Sequence, residues 1–249
     1  MPPLVAVAHG SRDPRSAATV AALLDVVRVR RPGLEVRAAF LDLSAPRLGD
    51  VLGALHGQGH RAAVVVPLLL GSAFHARVDV PALVDEALHR FPRLSVAVAG
   101  VLGPDPRLES AAVDRLLAAG VRPDDHDLGV VLAAAGSSHA PANAAVATVA
   151  RRLAARYGWA GALAAFAGGA GPDVPTAIAR LRARGARRIA VASWFVAPGL
   201  LPDRVTAKAR GADPTAAVAA PLGPAPALAE VVLDRYTAAR NPMDVRLYA

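Results

Sequence analysis

Val5-Ala6-Val7-Ala8-His9-Gly10-Ser11 is echoed 126 positions later by Val131-Leu132-Ala133-Ala134-Ala135-Gly136-Ser137. A short apolar run delivered into Gly-Ser reads as a buried strand followed by a tight turn. Its return at a fixed offset reads as a duplication. The same offset sets Gly59-His60-Arg61-Ala62-Ala63-Val64-Val65-Val66 on Gly185-Ala186-Arg187-Arg188-Ile189-Ala190-Val191-Ala192. A third block, Leu102-Gly103-Pro104-Asp105-Pro106-Arg107-Leu108, matches Leu222-Gly223-Pro224-Ala225-Pro226-Ala227-Leu228 at an offset of 120, so the second copy is six residues shorter between these blocks. Alanine supplies 59 of the 249 residues, but Gly, Pro, Asp and Arg positions carry much of the match. The boundary is expected in the polar stretch 122–127, giving lobes 1–124 and 125–249.

Within the first copy, apolar runs suited to strands (4–8, 35–40, 62–70, 94–98) alternate with helical periodicity over 16–30, 47–56, 81–91 and 106–118. Alternation of this kind implies an α/β fold: two tandem-duplicated lobes, each a parallel sheet of about four strands flanked by helices. Such sheets bind ligands beyond the carboxyl ends of their strands. Loops 9–15, 41–46, 71–79 and 99–105 are therefore expected at one edge.

Composition removes whole classes of function. With no cysteine there is no disulfide scaffold and no thiolate-ligated zinc or iron–sulfur module. A hydrophobic share of 54% raises the question of a membrane span, but the longest uncharged run, 128–150, is interrupted by Gly136, Ser137, Ser138, His139, Pro141 and Asn143. No export signal is legible, so a cytoplasmic setting without membrane attachment is expected. The net charge of +8 invites an anionic partner, yet only one of the 28 cations is lysine, a pattern that arginine- and alanine-rich coding also produces. No nucleic-acid motif accompanies the charge, and nucleic acid is not expected as a partner.

Two histidines fall where the architecture places chemistry. His9 follows the first strand, and His75 lies five residues beyond the run 62–70. Imidazole ordinarily titrates at about 6.5, so it serves near neutrality as base or metal ligand. A lone histidine in a loop is usually structural, whereas two at adjacent strand ends, flanked by Gly10-Ser11 and Gly71-Ser72, point to a site. Asp42, ending the second strand, adds a carboxylate to the same edge. Ungapped alignment puts Ala135 at the position of His9 and Leu201, or Pro202 after a one-residue shift, at that of His75, so the second copy has lost both imidazoles. His139 aligns with Asp13 and replaces neither. His56 and His60 are separated by helix-breaking Gly57 and Gly59, and His89 is expected on a solvated helix face.

Other readings fail on context. Gly57-Gln58-Gly59-His60-Arg61-Ala62 has dinucleotide-binding letters but follows a helix and precedes a strand, the reverse of the required order. No Gly-x-Ser-x-Gly elbow supports Ser11, Ser72 or Ser137 as a nucleophile. Phosphohistidine phosphatases also place a histidine and glycine after their first strand, but with an arginine where Ala8 stands, so a phosphatase stays as the distant alternative.

Three stretches in order, residues 8–15 (Ala-His-Gly-Ser-Arg-Asp-Pro-Arg), 40–46 (Phe-Leu-Asp-Leu-Ser-Ala-Pro) and 67–81 (Pro-Leu-Leu-Leu-Gly-Ser-Ala-Phe-His-Ala-Arg-Val-Asp-Val-Pro), resemble the sirohydrochlorin chelatases, class II chelatases in their long two-lobed form. The resemblance spans essentially the whole chain. It implies a lyase that inserts a divalent metal, Fe2+ or Co2+, into sirohydrochlorin on the way to sirohaem or cobalamin. It implies His9 and His75 as metal ligands and proton acceptors, and Asp42, where the family usually has Glu, as a further catalytic carboxylate. It also implies Ser11, Arg12, Ser44, Leu70, Gly71, Ser72, Ala73, Phe74 and Arg77 as substrate-binding positions, with arginines meeting the ring's carboxylates. No permanently bound cofactor is expected, the metal being a substrate. Trp194, Phe195 and the loop 197–203 are expected to face the substrate from the second lobe or to pack in its core. A non-catalytic tetrapyrrole or metal carrier is the alternative from another class, and a monomer is the simplest assembly because both lobes lie in one chain.

Overall fold

The computed structural model describes residues 1–71, 78–169 and 171–247, residues 242–247 by backbone alone. The first four strands are β1 (Leu4–Ala8), β2 (Val36–Phe40), β3 (Ala62–Pro67) and β4 (Ser95–Val98), and they form a parallel sheet in the order β2-β1-β3-β4. A second parallel sheet, ordered β6-β5-β7-β8, is made by β5 (Leu128–Ala134), β6 (Gly161–Phe166), β7 (Arg188–Ser193) and β8 (Ala217–Val218). The repeated α/β architecture expected from the duplication is thus present.

The helices are α1 (Pro14–Arg30), α2 (Leu48–Gly57), α3 (Val80–Arg90), α4 (Pro106–Ala118), α5 (Ala140–Tyr157), α6 (Val174–Ala183), α7 (Leu200–Ala212) and α8 (Pro226–Leu247). Sequence chemistry sets several of their starts. Asp13, Asp105 and Asp173 sit at N-caps, each accepting a main-chain N–H from the first turn, and each precedes a helix with proline at its opening. For α1 this cap moves the start from the expected residue 16 to Pro14.

Both faces of each sheet are covered, as parallel sheets require. In the first sheet Val5, Val7, Ala63 and Val65 face α2 and α3, where Leu48, Val51, Leu52, Leu55, Val80, Val84 and Ala87 complete a buried core. In the second, Val131, Ala133, Ile189 and Val191 face α6 and α7. Trp194 is only 4% exposed and Phe195 packs against this second core, so both serve packing, the core role held open for them by the sequence.

The packing units differ from the sequence repeats. One compact unit is Met1–Gly103 with Pro224–Ala249, the other Pro104–Gly223. The lobes expected at 1–124 and 125–249 therefore exchange their last helices: α8 packs on α1 and β3, and α4 on β7. The contacts are equivalent in the two units. Arg235 of α8 donates to the Val101 and Leu102 carbonyls at 2.8 and 3.1 Å, and Arg115 of α4 donates to the Leu222 carbonyl at 2.7 Å. Repeat periodicity reveals which residues form a helix but not which sheet that helix covers.

The length difference between copies lies between the third strand and the third helix of each. Residues 68–79 connect β3 to α3, whereas residues 194–199 connect β7 to α7. Leu102 N donates to the Leu69 carbonyl and Leu222 N to the Phe195 carbonyl, both at 2.9 Å, which matches 194–196 to 68–70. Ala197, Pro198 and Gly199 then span what 71–79 span in the first copy. Val80 and Leu200 each open the third helix of their copy, so Leu201 and Pro202 correspond to Pro81 and Ala82 rather than to position 75, as ungapped alignment suggests; the connection in between is six residues shorter in the second copy.

Candidate functional site

The carboxyl edge of the first sheet is built by main-chain pairing that continues past β1 and β2. Leu41 N donates to the Ala8 carbonyl and Asp42 N to the His9 carbonyl, both at 2.9 Å. His9 is exposed at the end of the central strand, its backbone tied directly to the residue carrying the carboxylate. Asp42 is exposed as well, and the turn after it is tight: Ser44 N donates to the Asp42 carbonyl at 2.7 Å, and Leu43 adopts φ 59°.

Three groups act on the Asp42 carboxylate. The Leu43 N–H donates to Oδ1 at 2.8 Å, Arg47 Nη1 lies 2.9 Å from the same oxygen, and His9 adds its charge when protonated. The Leu43 hydrogen bond leads, and against a smaller opposing effect of burial these groups hold Asp42 below the ordinary carboxylate range. Arg47 also donates to the Leu41 carbonyl at 3.1 Å, bracing the turn. Arg47 carries no motif in the sequence; its one signal there is a cation directly after the turn that bears the site's carboxylate.

The two serines of this edge bind each other. Ser44 Oγ accepts from Ser11 N at 3.0 Å and donates to Ser11 O at 2.8 Å, while Ser11 Oγ accepts from Asp13 N at 3.0 Å. Arg12 is exposed beside them, and Arg15 is paired with Asp13. Leu70 and Gly71 are part-buried beyond β3, and Leu70 O approaches Gly103 so closely that a Cβ there would meet it at 2.6 Å. His75, Ser72, Ala73, Phe74 and Arg77 lie outside the described residues. Among the described residues, no group of three or more His, Cys, Asp or Glu could hold a metal ion.

The remaining histidines have local partners. His56 stacks on Phe91 with ring centroids 5.2 Å apart, His60 Nε2 lies 3.1 Å from Glu35, and His89 Nδ1 is 2.7 Å from the Asp85 carbonyl. In the second unit Ala135 and Gly168 occupy the positions of His9 and Asp42, and Gly168 N donates to the Ala135 carbonyl at 3.0 Å. The scaffold of the edge is kept there without its imidazole or its carboxylate. The loss of Asp42 was readable at the 126-residue offset and extends the contrast between copies drawn from the histidines. No helix among the described residues is long and apolar enough to cross a membrane.

Solved structures share this architecture. SirB from Bacillus subtilis with Fe3+ superposes with a TM-score of 0.82 at 23% identity, over 98% of both chains. The sirohydrochlorin chelatase SirB from Bacillus subtilis subspecies spizizenii, in complex with cobalt, gives 0.78 at 21% identity, again over 98% of both chains. CbiX, described as the terminal enzyme for biosynthesis of siroheme in denitrifying bacteria, gives 0.69 at 22% identity, over 95% of this chain and 99% of its own. No curated protein matches by sequence. The CbiX family model matches residues 3–119 and again 129–239, one match for each copy of the duplication. The chain belongs to the CbiX family.

Proposed function

We propose that this protein inserts a divalent metal, Fe2+ or Co2+, into sirohydrochlorin, as a lyase of sirohaem or cobalamin synthesis. The observation that carries the reading is His9, exposed at the carboxyl end of the central strand and joined through its own carbonyl to anionic Asp42. It stands on a fold shared over nearly the full chain with SirB structures that hold iron or cobalt.

Insertion displaces two pyrrole N–H protons, so the reaction needs a base beside the incoming ion and a scaffold that holds ion and ring together. His9 is assigned as ligand to the incoming metal and as proton acceptor. His75 is its partner on the strength of the family motif. Asp42 contributes a negative charge beside His9, favouring the cation's approach and the imidazolium that forms on proton transfer. Arg12 and Arg77 are assigned to the ring's carboxylates, with Leu70, Gly71 and the residues up to Phe74 lining the substrate through their backbone. Ligands of this type do not choose between iron and cobalt, so cellular supply selects the metal.

The test follows the absorbance of sirohydrochlorin with Fe2+ or Co2+, with and without protein, after subtracting spontaneous insertion. Acceleration is expected. Binding of ring or metal without acceleration would instead identify a carrier.

A further inference from the structure

We propose that Ser44 is a positioning residue for this reaction, acting through the loop that carries His9 rather than on the substrate; the proposal rests on the chelatase reading above. Both repeats spend a side chain on the same two main-chain atoms. In the first, Ser44 Oγ takes the N–H of Ser11 and donates to its carbonyl, at 3.0 and 2.8 Å. In the second, Asn143 does both for the equivalent Ser137: its Oδ1 accepts from Ser137 N at 3.0 Å, and its Nδ2 donates to Ser137 O at 2.8 Å. The serine hydroxyls are used alike, Ser11 Oγ accepting from Asp13 N and Ser137 Oγ from His139 N, each at 3.0 Å.

What differs is the element that does the holding. Asn143 belongs to the first turn of α5, so the second-copy loop is fastened to its own helix. Ser44 belongs to the β2–α2 loop, 33 residues from Ser11, and its own N–H donates to the Asp42 carbonyl at 2.7 Å. Asp42 N in turn donates to the His9 carbonyl at 2.9 Å. The two loops are therefore zipped on both sides of Gly10, residue 9 to residue 42 and residue 11 to residue 44. The copy that keeps its imidazole and carboxylate is the copy whose staple joins the loops bearing them. The one hydroxyl hydrogen of Ser44 is consumed by Ser11 O, so Ser44 has no donor left for a ring carboxylate.

The second copy also supplies the test. Asn143 aligns with Ala17, on the first turn of α1. Ser44→Ala should lower kcat for insertion by about tenfold to a hundredfold, the scale set by misplacing a reacting group by about 1 Å, with little change in KM for sirohydrochlorin. Adding Ala17→Asn should fasten the loop that carries His9 to α1, as Asn143 fastens the second-copy loop to α5, and restore most of kcat and of the melting temperature lost in Ser44→Ala, because it is the hold on this loop, whichever element supplies it, that the proposal invokes. Ala17→Asn alone should match wild type. A double variant as slow as Ser44→Ala, or a Ser44→Ala defect confined to KM, would overturn the proposal. Wild type that fails to exceed the spontaneous rate is a failure of the chelatase reading itself, visible before any variant is compared; melting temperatures across the same four proteins then still report whether the staple forms.

Discussion

The main-chain carbonyl of Asp42 occupies the space where a side chain on residue 10 would begin: a Cβ built on Gly10 would lie 1.6 Å from that oxygen. Gly10 also adopts φ 98°, a conformation that residues with a Cβ rarely take. The two loops of the candidate site can meet only because this position is glycine. Gly10→Ala must push them apart and should cost at least about 1–3 kcal/mol of stability, the scale of backbone strain at one residue. Insertion should fall further than the loss of folded protein accounts for. Gly136, at φ 86° with its would-be Cβ 2.0 Å from Gly168 O, is the control. Gly136→Ala should lower the melting temperature similarly while its folded fraction keeps inserting metal. Equal specific activities for the two folded variants would contradict this view of the edge.

Glu109 of α4 is 3% exposed and paired with Arg152 of α5, inside the second unit. The pairing raises the pKa of the Arg152 guanidinium. Removing the cation alone leaves a buried carboxylate without its partner, which is costly, whereas replacing both partners by apolar groups is often neutral. The repeat offers the apolar version, since the equivalent positions in the other unit are Ala229 and Val26. Arg152→Val should destabilise by about 3 kcal/mol, the lower end of the range because Arg152 is half exposed. The double variant Glu109→Ala with Arg152→Val should recover most of that loss in thermal melting. A double variant less stable than the single would refute the argument.

Asp173 caps α6, accepting from Thr176 N at 3.1 Å and Thr176 Oγ1 at 2.7 Å, and pairs with Lys208 at 3.2 Å. These contacts lower its pKa to about 2, the Thr176 hydroxyl contributing most. A folded-state value below the unfolded one means stability that is present above the ordinary carboxylate pKa and disappears as pH falls through the folded value. The window runs from 3.8 down to about 2. Asp173→Asn keeps a cap but loses the charge, so wild type should melt higher at neutral pH and the two curves should converge as pH falls across that window. A difference in melting temperature that stays constant from pH 7 to 2 would show that the charge of Asp173 does not stabilise the fold.

His9 and Asp42 were legible from sequence because strand ends mark one edge of a parallel sheet, and residue counting alone places both there. The expected third strand runs to residue 70, whereas β3 ends at Pro67, which pairs with Val7, the last β1 residue in that ladder. The Ser11–Ser44 staple was illegible because a hydroxyl that spans 33 residues leaves no periodic trace. The resemblance implies Ser44 as a substrate-binding position, and nothing in the order of residues shows that its hydroxyl donates to the Ser11 carbonyl. The exchanged helices α4 and α8 were hidden differently: each has the right apolar face for either sheet, and the periodicity of a repeat is blind to the choice. The Leu201 alignment failed because a constant offset was carried through a connection that the second copy has shortened.

The most direct test of the central claim measures the rate at which sirohydrochlorin absorbance changes with Co2+ in wild type and His9→Ala, with spontaneous insertion subtracted and folding of both checked by circular dichroism. The variant should fall to the spontaneous rate while keeping its fold, because ligand and proton acceptor are removed together. A folded His9→Ala that inserts metal at close to the wild-type rate would contradict the account.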